Sequence, residues 1–294
     1  MAHLALRRTN AQASRRASAT ASEIRRPKSA KERLGSAYAR CFGSTRYRRL
    51  NDLLYYLSMR GLGIENYRNH VISGEDFFLR ALLAEAGNLP VVLDVGAYHG
   101  EYAKLVRRYS PTARIFCFEP HPQSFDILQE VANEHAFTAL PLACGAQSGP
   151  VYLFDFANED GSKRASLYED TLRIGSEARL TKHLTEIVTI DEFAENHNFD
   201  EVNLLKIDVE GAELEVLKGA NRLIRERRVK AIQFEIGGSN VVREVWMRDF
   251  YRQLDGYSLY RLLPRGLLPL GEYRPTTHEL FRFQNIIAFR DAPF

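Results

Sequence analysis

The chain is poor in sulfur and in indole: 294 residues carry three cysteines, three methionines and one tryptophan. Cys41, Cys117 and Cys144 fit no metal-ligand or redox spacing, and the last two fall inside or at the end of apolar runs. A disulfide-stapled or thiolate-metal scaffold is therefore excluded, and the thiols read as reduced core residues in a reducing compartment. No apolar run approaches the roughly 18 residues that a bilayer-spanning helix requires, and the N-terminus lacks the apolar centre of a secretory signal, so a cytoplasmic location is the expectation. Glycine is missing where common nucleotide motifs need it. A dinucleotide fingerprint would place glycines at 96, 98 and 101, yet Tyr98 and Glu101 stand there, and no lysine follows the last glycine as a Walker A loop would demand. Glu101 beside the turn would repel a pyrophosphate, so a nucleoside without phosphate is the better electrostatic fit.

What is present begins with Val91-Val92-Leu93-Asp94-Val95-Gly96-Ala97-Tyr98-His99-Gly100. Val91 to Val95 is apolar apart from Asp94, the pattern of a parallel strand buried on both faces. Gly96 and Gly100 bracket a short turn, and apolar Tyr102, Leu105, Val106 and Tyr109 then recur at helical spacing. Glycines in such a turn allow positive φ and close approach of a ligand to the backbone. The next strand, Ala113 to Phe118, ends in Glu119-Pro120. An acid about twenty positions past the glycine turn, at the tip of the second strand, is where a carboxylate grips two ribose hydroxyls. Asp94, immediately before the turn, reads as an acceptor for the ligand's amino group or for an ordered water, because a lone buried acid is costly without a partner.

Further along, Asn203-Leu204-Leu205-Lys206-Ile207-Asp208 is again a buried strand, and its tip carries Asp208, Glu210 and Glu213 around Gly211. The D-V-G-A-x-x-G turn, the F-E-P at 118–120 and the K-I-D-V-E-G-x-E block at 206–213, in that order, resemble the FkbM family of S-adenosylmethionine-dependent methyltransferases over about Phe77 to Arg290. That resemblance implies a class I Rossmann-like α/β fold with S-adenosylmethionine as cofactor. The residues carrying it over are Asp94, Gly96, Ala97, Tyr98, Gly100, Glu119, Pro120 and Asp208. It also implies O-methylation of a hydroxyl on a sugar or other small metabolite.

The rest of the chain fits a doubly wound, mostly parallel sheet of seven strands. A third strand is expected over Phe137 to Cys144, a fifth over Val229 to Glu235, and the last two over Tyr257 to Tyr260 and Asn285 to Phe289. Between the third and fourth strands lie Gly149 to Phe156, an alternating edge strand, and Glu186 to Phe193, a short strand leading into a helix. An insertion of this length is a lid or a small subsheet rather than a bare connection. Helices are expected at about 45–59, from Gly74 to Gly87, over Gln123 to Asn133, Glu213 to Arg228 and Arg243 to Leu254.

Charge divides the chain. Residues 1–50 hold thirteen Lys or Arg against two Glu, and the net charge is only +3, so the remainder is at minus eight. Residues 1–40 are expected to be a disordered basic extension, 41–88 an N-terminal helical cap, and 89–294 the catalytic domain. An organelle transit sequence and a weak anchor for anionic partners are the alternative readings of the basic segment.

Methyl transfer to an alcohol needs alignment and a base, and Asp208 and Glu210 are the candidates, with His99 behind them. Asp208 has the alternative role of capping the next helix or holding the cofactor. A divalent metal on Asp208 and Glu235 lacks a third oxygen ligand, and neither His99 nor His121 has a Cys or second His at a ligand interval, so no metal is expected. The competing class is a nucleic-acid-binding or catalytically inactive protein of this fold. The basic N-terminus favours it and the acidic body opposes it, since phosphate binding needs a positive track on the folded surface.

Overall fold

The computed structural model describes residues 29–294. Eleven strands are found among them: β1 (Val91–Val95), β2 (Arg114–Phe118), β3 (Thr138–Leu140), β4 (Leu142–Cys144), β5 (Gly149–Phe156), β6 (Leu180–Val188), β7 (Val202–Ile207), β8 (Val229–Ile236), β9 (Ser258–Leu263), β10 (Gly266–Pro269) and β11 (Gln284–Phe289). Eight form one sheet in the order β10-β9-β11-β8-β7-β1-β2-β3, and β4-β6-β5 form a second. From β3 to β8 the large sheet is parallel, and β11 then runs antiparallel to both β8 and β9. The chain winds outward from β1 to β3, crosses back and continues outward through β7 and β8. The strand order therefore switches between β1 and β7, which puts a crevice at their carboxyl ends.

Period-two side-chain geometry sorts β1 between two cores. Val91, Leu93 and Val95 pack with Ile190, Phe193, Val216, Leu217 and Phe250 on one face. Val92 packs with Phe78, Leu82, Tyr102, Val106 and Leu128 on the other. Asp94 shares the register of Val92, and its neighbours on β2 and β7 are Cys117 and Lys206.

Four sequence expectations are corrected here. The large sheet has eight strands, because the extra strand β10 (Gly266–Pro269) forms a hairpin with β9 along its edge. The stretch 137–144 is two strands in different sheets: Pro141 has no amide to give the ladder, and the chain leaves the large sheet there. The strand expected at 186–193 ends at Val188, since the Thr189 hydroxyl accepts from the Glu192 amide at 3.1 Å and starts a helix at Ile190. The helices expected at 213–228 and 243–254 are each shorter: Glu213–Gly219 and Asn221–Arg225 replace the first, Met247–Gln253 the second.

Residue contacts divide the chain into two units between Leu57 and Ser58, not at 40 or 88. In the first unit, Ala30–Phe42 is a helix, which overturns the expected disorder of residues 29–40; the disorder expected for residues 1–28 lies outside the described residues. Ser29 and Glu32 start this helix with a reciprocal capping box, the Glu32 amide donating to Ser29 Oγ at 3.2 Å and the Ser29 amide to Glu32 Oε2 at 2.7 Å. Among the described residues, the second unit holds every strand. No helix among the described residues is long and apolar enough to cross a membrane.

Candidate active site

At the switch point the backbone leaves β1 through a left-handed glycine. Gly96 has φ +79°, and a Cβ there would lie 1.8 Å from the Asp208 carbonyl oxygen, so the tips of β1 and β7 approach as closely as they do only because residue 96 has no side chain. The Gly96 and Ala97 amides both donate to the Phe118 carbonyl at 3.0 Å, and the Asp208 amide donates to Val95 O at 3.0 Å. Three strand tips are thus tied into one floor.

Above that floor is a cavity of about 280 Å³. Six of the sequence candidates for the cofactor line it: Gly96, Ala97, Tyr98, Glu119, Pro120 and Asp208. So do Glu210, Glu235, His70, Glu75, Lys206, and Leu142 to Cys144, Ser162 and Lys163 of the inserted segment. The insertion is a wall of the site, not a distant appendage.

Two of the candidates are elsewhere. Asp94 has no exposed surface and does not reach the cavity, because its strand position turns it toward the helix Glu101–Tyr109 rather than toward the tip. Its carboxylate meets Lys206 Nζ at 3.2 Å, across the β1–β7 register, and neither oxygen accepts a well-aligned hydrogen bond. Gly100 also stays outside. It holds φ +78° at the start of that helix, and a Cβ would be 2.9 Å from the Phe137 ring and 3.0 Å from Leu128, so its glycine serves packing.

Glu119 is held as a two-pronged acceptor. The Tyr98 amide donates to Oε2 at 2.9 Å and the His121 amide to Oε1 at 2.9 Å, which fixes both oxygens and leaves each a further lone pair. Burial pushes the carboxyl up to about 7 against the pull of those two amides.

Lys206 is the residue that sequence reasoning quoted without giving it work. A lysine inside an otherwise apolar buried strand was the available signal. Its ammonium reaches Asp94 at 3.2 Å, Asp208 at 3.4 Å and the Gly96 carbonyl at 3.3 Å, and it lies over the Tyr102 ring. Burial alone would lower its pKa, but attraction to Asp94, Asp208 and Glu75 outweighs burial and keeps it charged. A second polar chain runs behind it: the Tyr102 hydroxyl donates to Gln233 at 2.7 Å, and Gln233 Nε2 donates to Glu75 at 2.9 Å. Glu75 also faces His70 Nδ1 at 2.9 Å. That contact lifts the imidazole pKa, while burial pushes Glu75 up but yields to His70, leaving the carboxyl below its ordinary value.

Glu210 sits in a left-handed turn with φ +52°. Ser239 Oγ donates to its Oε2 at 3.1 Å and Ser166 Oγ to its carbonyl at 2.9 Å. Burial, with Asp208 and Glu213 adding repulsion, pushes it up to about 7. Glu235 is raised well above the usual range by burial and then by Asp208, Glu210 and Glu213. Glu213 is a scaffold: its oxygens accept from the Gly211 amide and from Asn240 Nδ2, both at 2.9 Å. A second cavity of about 310 Å³ lies alongside, with Arg164, Ser239, Phe281 and Arg282 in its walls, and it shares Glu210, Glu235 and Phe283 with the first.

The methyltransferase FkbM domain model matches residues 94–260. The chain belongs to this family of methyltransferases. It is 31% identical over 173 residues to hexuronic acid methyltransferase AglP of Haloferax volcanii, covering 59% of this chain and 67% of that one. Methyltransferase sdnD of Sordaria araneosa is 28% identical over 56% of this chain and 69% of its own. The 2-O-methyltransferase NoeI of Sinorhizobium fredii is 23% identical over 60% and 76%. The FkbM match runs from Asp94 through Glu119 and the 206–213 block, so it spans the floor and both carboxylate tips of the cavity.

Proposed function

We propose that this FkbM methyltransferase takes its methyl group from S-adenosylmethionine and delivers it to a hydroxyl of a saccharide or a related small polyol. The observation that carries this reading is Glu119, a buried carboxylate locked by two amides at the rim of a glycine-floored cavity. Its free lone pairs match a ribose diol, and the Gly96 backbone lines the cavity over the strand tips, where an adenosyl group would lie. Charge agrees with shape: Glu75, Glu101, Glu119, Asp208, Glu210 and Glu235 line the cavity against Lys163 and Lys206, a balance that suits a cationic ligand and opposes a phosphate-bearing one. Bound there, S-adenosylmethionine supplies an electrophilic methyl on a sulfonium whose charge disappears as the methyl departs.

The protein's part is alignment and proton removal. Lys206 holds Asp208 at the end of β7, where its carboxylate would hold the cationic half of the ligand, and Asp94 holds Lys206 from behind. Glu210 is the base for the acceptor hydroxyl: it stands at the junction of the two cavities, and a carboxyl near 7 is matched to removing a proton at neutral pH. Asp208 is the poorer base because its charge is engaged by Lys206. The second cavity, with polar groups at Arg164, Ser239 and Arg282 and rings at Phe281 and Phe283, is the acceptor side. The hexuronic acid and 2-O-methyltransferase names of the relatives point to the same acceptor chemistry.

Isothermal titration of the purified chain with S-adenosylmethionine tests the donor. Binding at one equivalent, abolished in Glu119→Ala, is the expected result; heat that is unchanged in that variant would remove the basis of the reading. Labelled methyl transfer across a panel of sugars, uronic acids and simple alcohols then identifies the acceptor.

A further inference from the structure

Beyond the cavity wall, three side chains from separate segments converge. His121 begins the turn into the helix Pro122–His135, Asp160 belongs to the loop after β5, and His183 is on β6. His121 Nε2 lies 3.0 Å and His183 Nε2 2.8 Å from the same oxygen, Asp160 Oδ1. The two imidazoles stand edge to face, with centroids 4.6 Å apart and planes at 69°, so both Nε2 atoms address one point. His121 is fully buried, whereas the His183 and Asp160 side chains are 23% and 26% exposed, which leaves one open approach.

A second carboxylate adds charge without adding a ligand. Asp155 Oδ2 is 3.6 Å from His121 Nε2 and the residue has no exposed surface. Oδ1 already accepts from the Phe156 amide at 2.8 Å and Ser162 Oγ at 2.6 Å, and Oδ2 from the Gly161 and Ser162 amides at 2.8 Å each. Its lone pairs are used. Two carboxylates therefore face two imidazoles, and among the described residues those imidazoles are the only groups forming ion pairs with either.

We propose that His121 Nε2, His183 Nε2 and Asp160 Oδ1 bind a divalent transition-metal ion, zinc being the species this donor set suits best. Two imidazoles and a carboxylate with an open fourth position are a recurrent zinc arrangement, and the ion's two charges balance the two carboxylates. Gln123 Nε2 donates to Asp160 Oδ2 at 3.0 Å, which orients the carboxylate from behind. His121 Nδ1 has no partner, so moving the proton from Nε2 to Nδ1 on metal binding breaks no hydrogen bond there. The ion would fasten the loop carrying Ser162 and Lys163, which line the cofactor cavity, to the segment whose His121 amide holds Glu119. This role is independent of which acceptor is methylated.

The test uses the full chain, stripped with a chelator and titrated with zinc in competition with a chromophoric chelator. One equivalent bound by the wild type, with affinity weakened at least about tenfold in both His183→Ala and Asp160→Asn, is expected. Cobalt in place of zinc gives a reading that does not depend on either variant folding. Of the eight histidines, two should show paramagnetically shifted ring signals. Absence of stoichiometric zinc binding by the wild type would overturn the proposal, as would affinity unchanged in folded His183→Ala or Asp160→Asn. Shifted signals from histidines other than 121 and 183 would do the same.

Discussion

In the proposed reading two carboxyls near 7, Glu119 and Glu210, have different duties, and substitution separates them. Glu119 accepts hydrogen bonds, so Glu119→Gln keeps the shape but turns part of the acceptor into a donor facing other donors. Charge-assisted hydrogen bonds contribute about 1.5–3 kcal/mol each, so S-adenosylmethionine affinity should fall by roughly 10- to 100-fold in a titration. If Glu210 removes the proton as proposed, Glu210→Gln should leave that affinity nearly intact and lower kcat by about 100- to 10,000-fold. The pH dependence follows from the same residue. The base works only when ionised, so the wild-type rate at saturating donor should climb as pH rises through about 7 and then level off. A flat profile from pH 6 to 8, or an equal drop in kcat from Asp208→Asn with Glu210→Gln harmless, would assign the proton to another group.

At the scale of elements, the approach of β1 to β7 rests on residue 96. Gly96→Ala meets both the left-handed backbone cost, on the order of 1–3 kcal/mol, and a collision with the Asp208 carbonyl, which is backbone and cannot swing aside. A drop in denaturation midpoint together with loss of donor binding is expected. Retention of both would mean that the tips can separate freely. The same strands were the legible part of the chain. β1, β2, β7 and β8 are mostly apolar and buried on both faces, and the glycine turn and acidic tips announce themselves in one dimension, so the floor of the site and Glu119, Asp208 and Glu210 could be named from the sequence. Side-chain direction was less accessible. Asp94 and Lys206 are neighbours only through the β1–β7 register, so a carboxylate that looked like a ligand contact is the support for a lysine. Proline 141 and the Thr189 cap were visible as residues, but their effect depended on which sheet each flanking strand joined. The 121–160–183 cluster had no local signal at all, because β6 alternates across a half-exposed sheet and brings His183 to His121 only after β5 and β6 pair. The length of the insertion between the third and fourth strands indicated a lid or a small subsheet, not what it fastens to.

Across the whole molecule, the acid-rich cavity makes an uncommon demand on stability. Glu119 and Glu210 titrate near 7 when folded and near 4.5 when unfolded, and Glu235 is raised as well, so between those limits the native state holds protons that the unfolded chain has released. Stability must therefore fall as pH rises through that window, by on the order of 3 kcal/mol for Glu119 alone. His70 adds in the same direction, since its raised pKa means that a stabilising proton is lost as pH climbs past the ordinary value of 6.5. Glu75 and Asp160 act oppositely, but their lowered values confine their loss to acid below about 4.5. The ligand-free chain should thus be most stable in weak acid, and its unfolding midpoint in urea should be higher at pH 5.5 than at pH 8. In Glu119→Gln combined with Glu210→Gln that difference should shrink, because two of the buried groups no longer ionise. S-adenosylmethionine, the proposed cationic ligand of these carboxylates, should restore stability more at pH 8 than at pH 5.5 through its tighter binding there. A ligand-free wild type that is more stable at pH 8 than at pH 5.5 would show that these carboxyls are solvated in solution, and with that the picture of a dry acidic cavity poised for a cationic donor would fail.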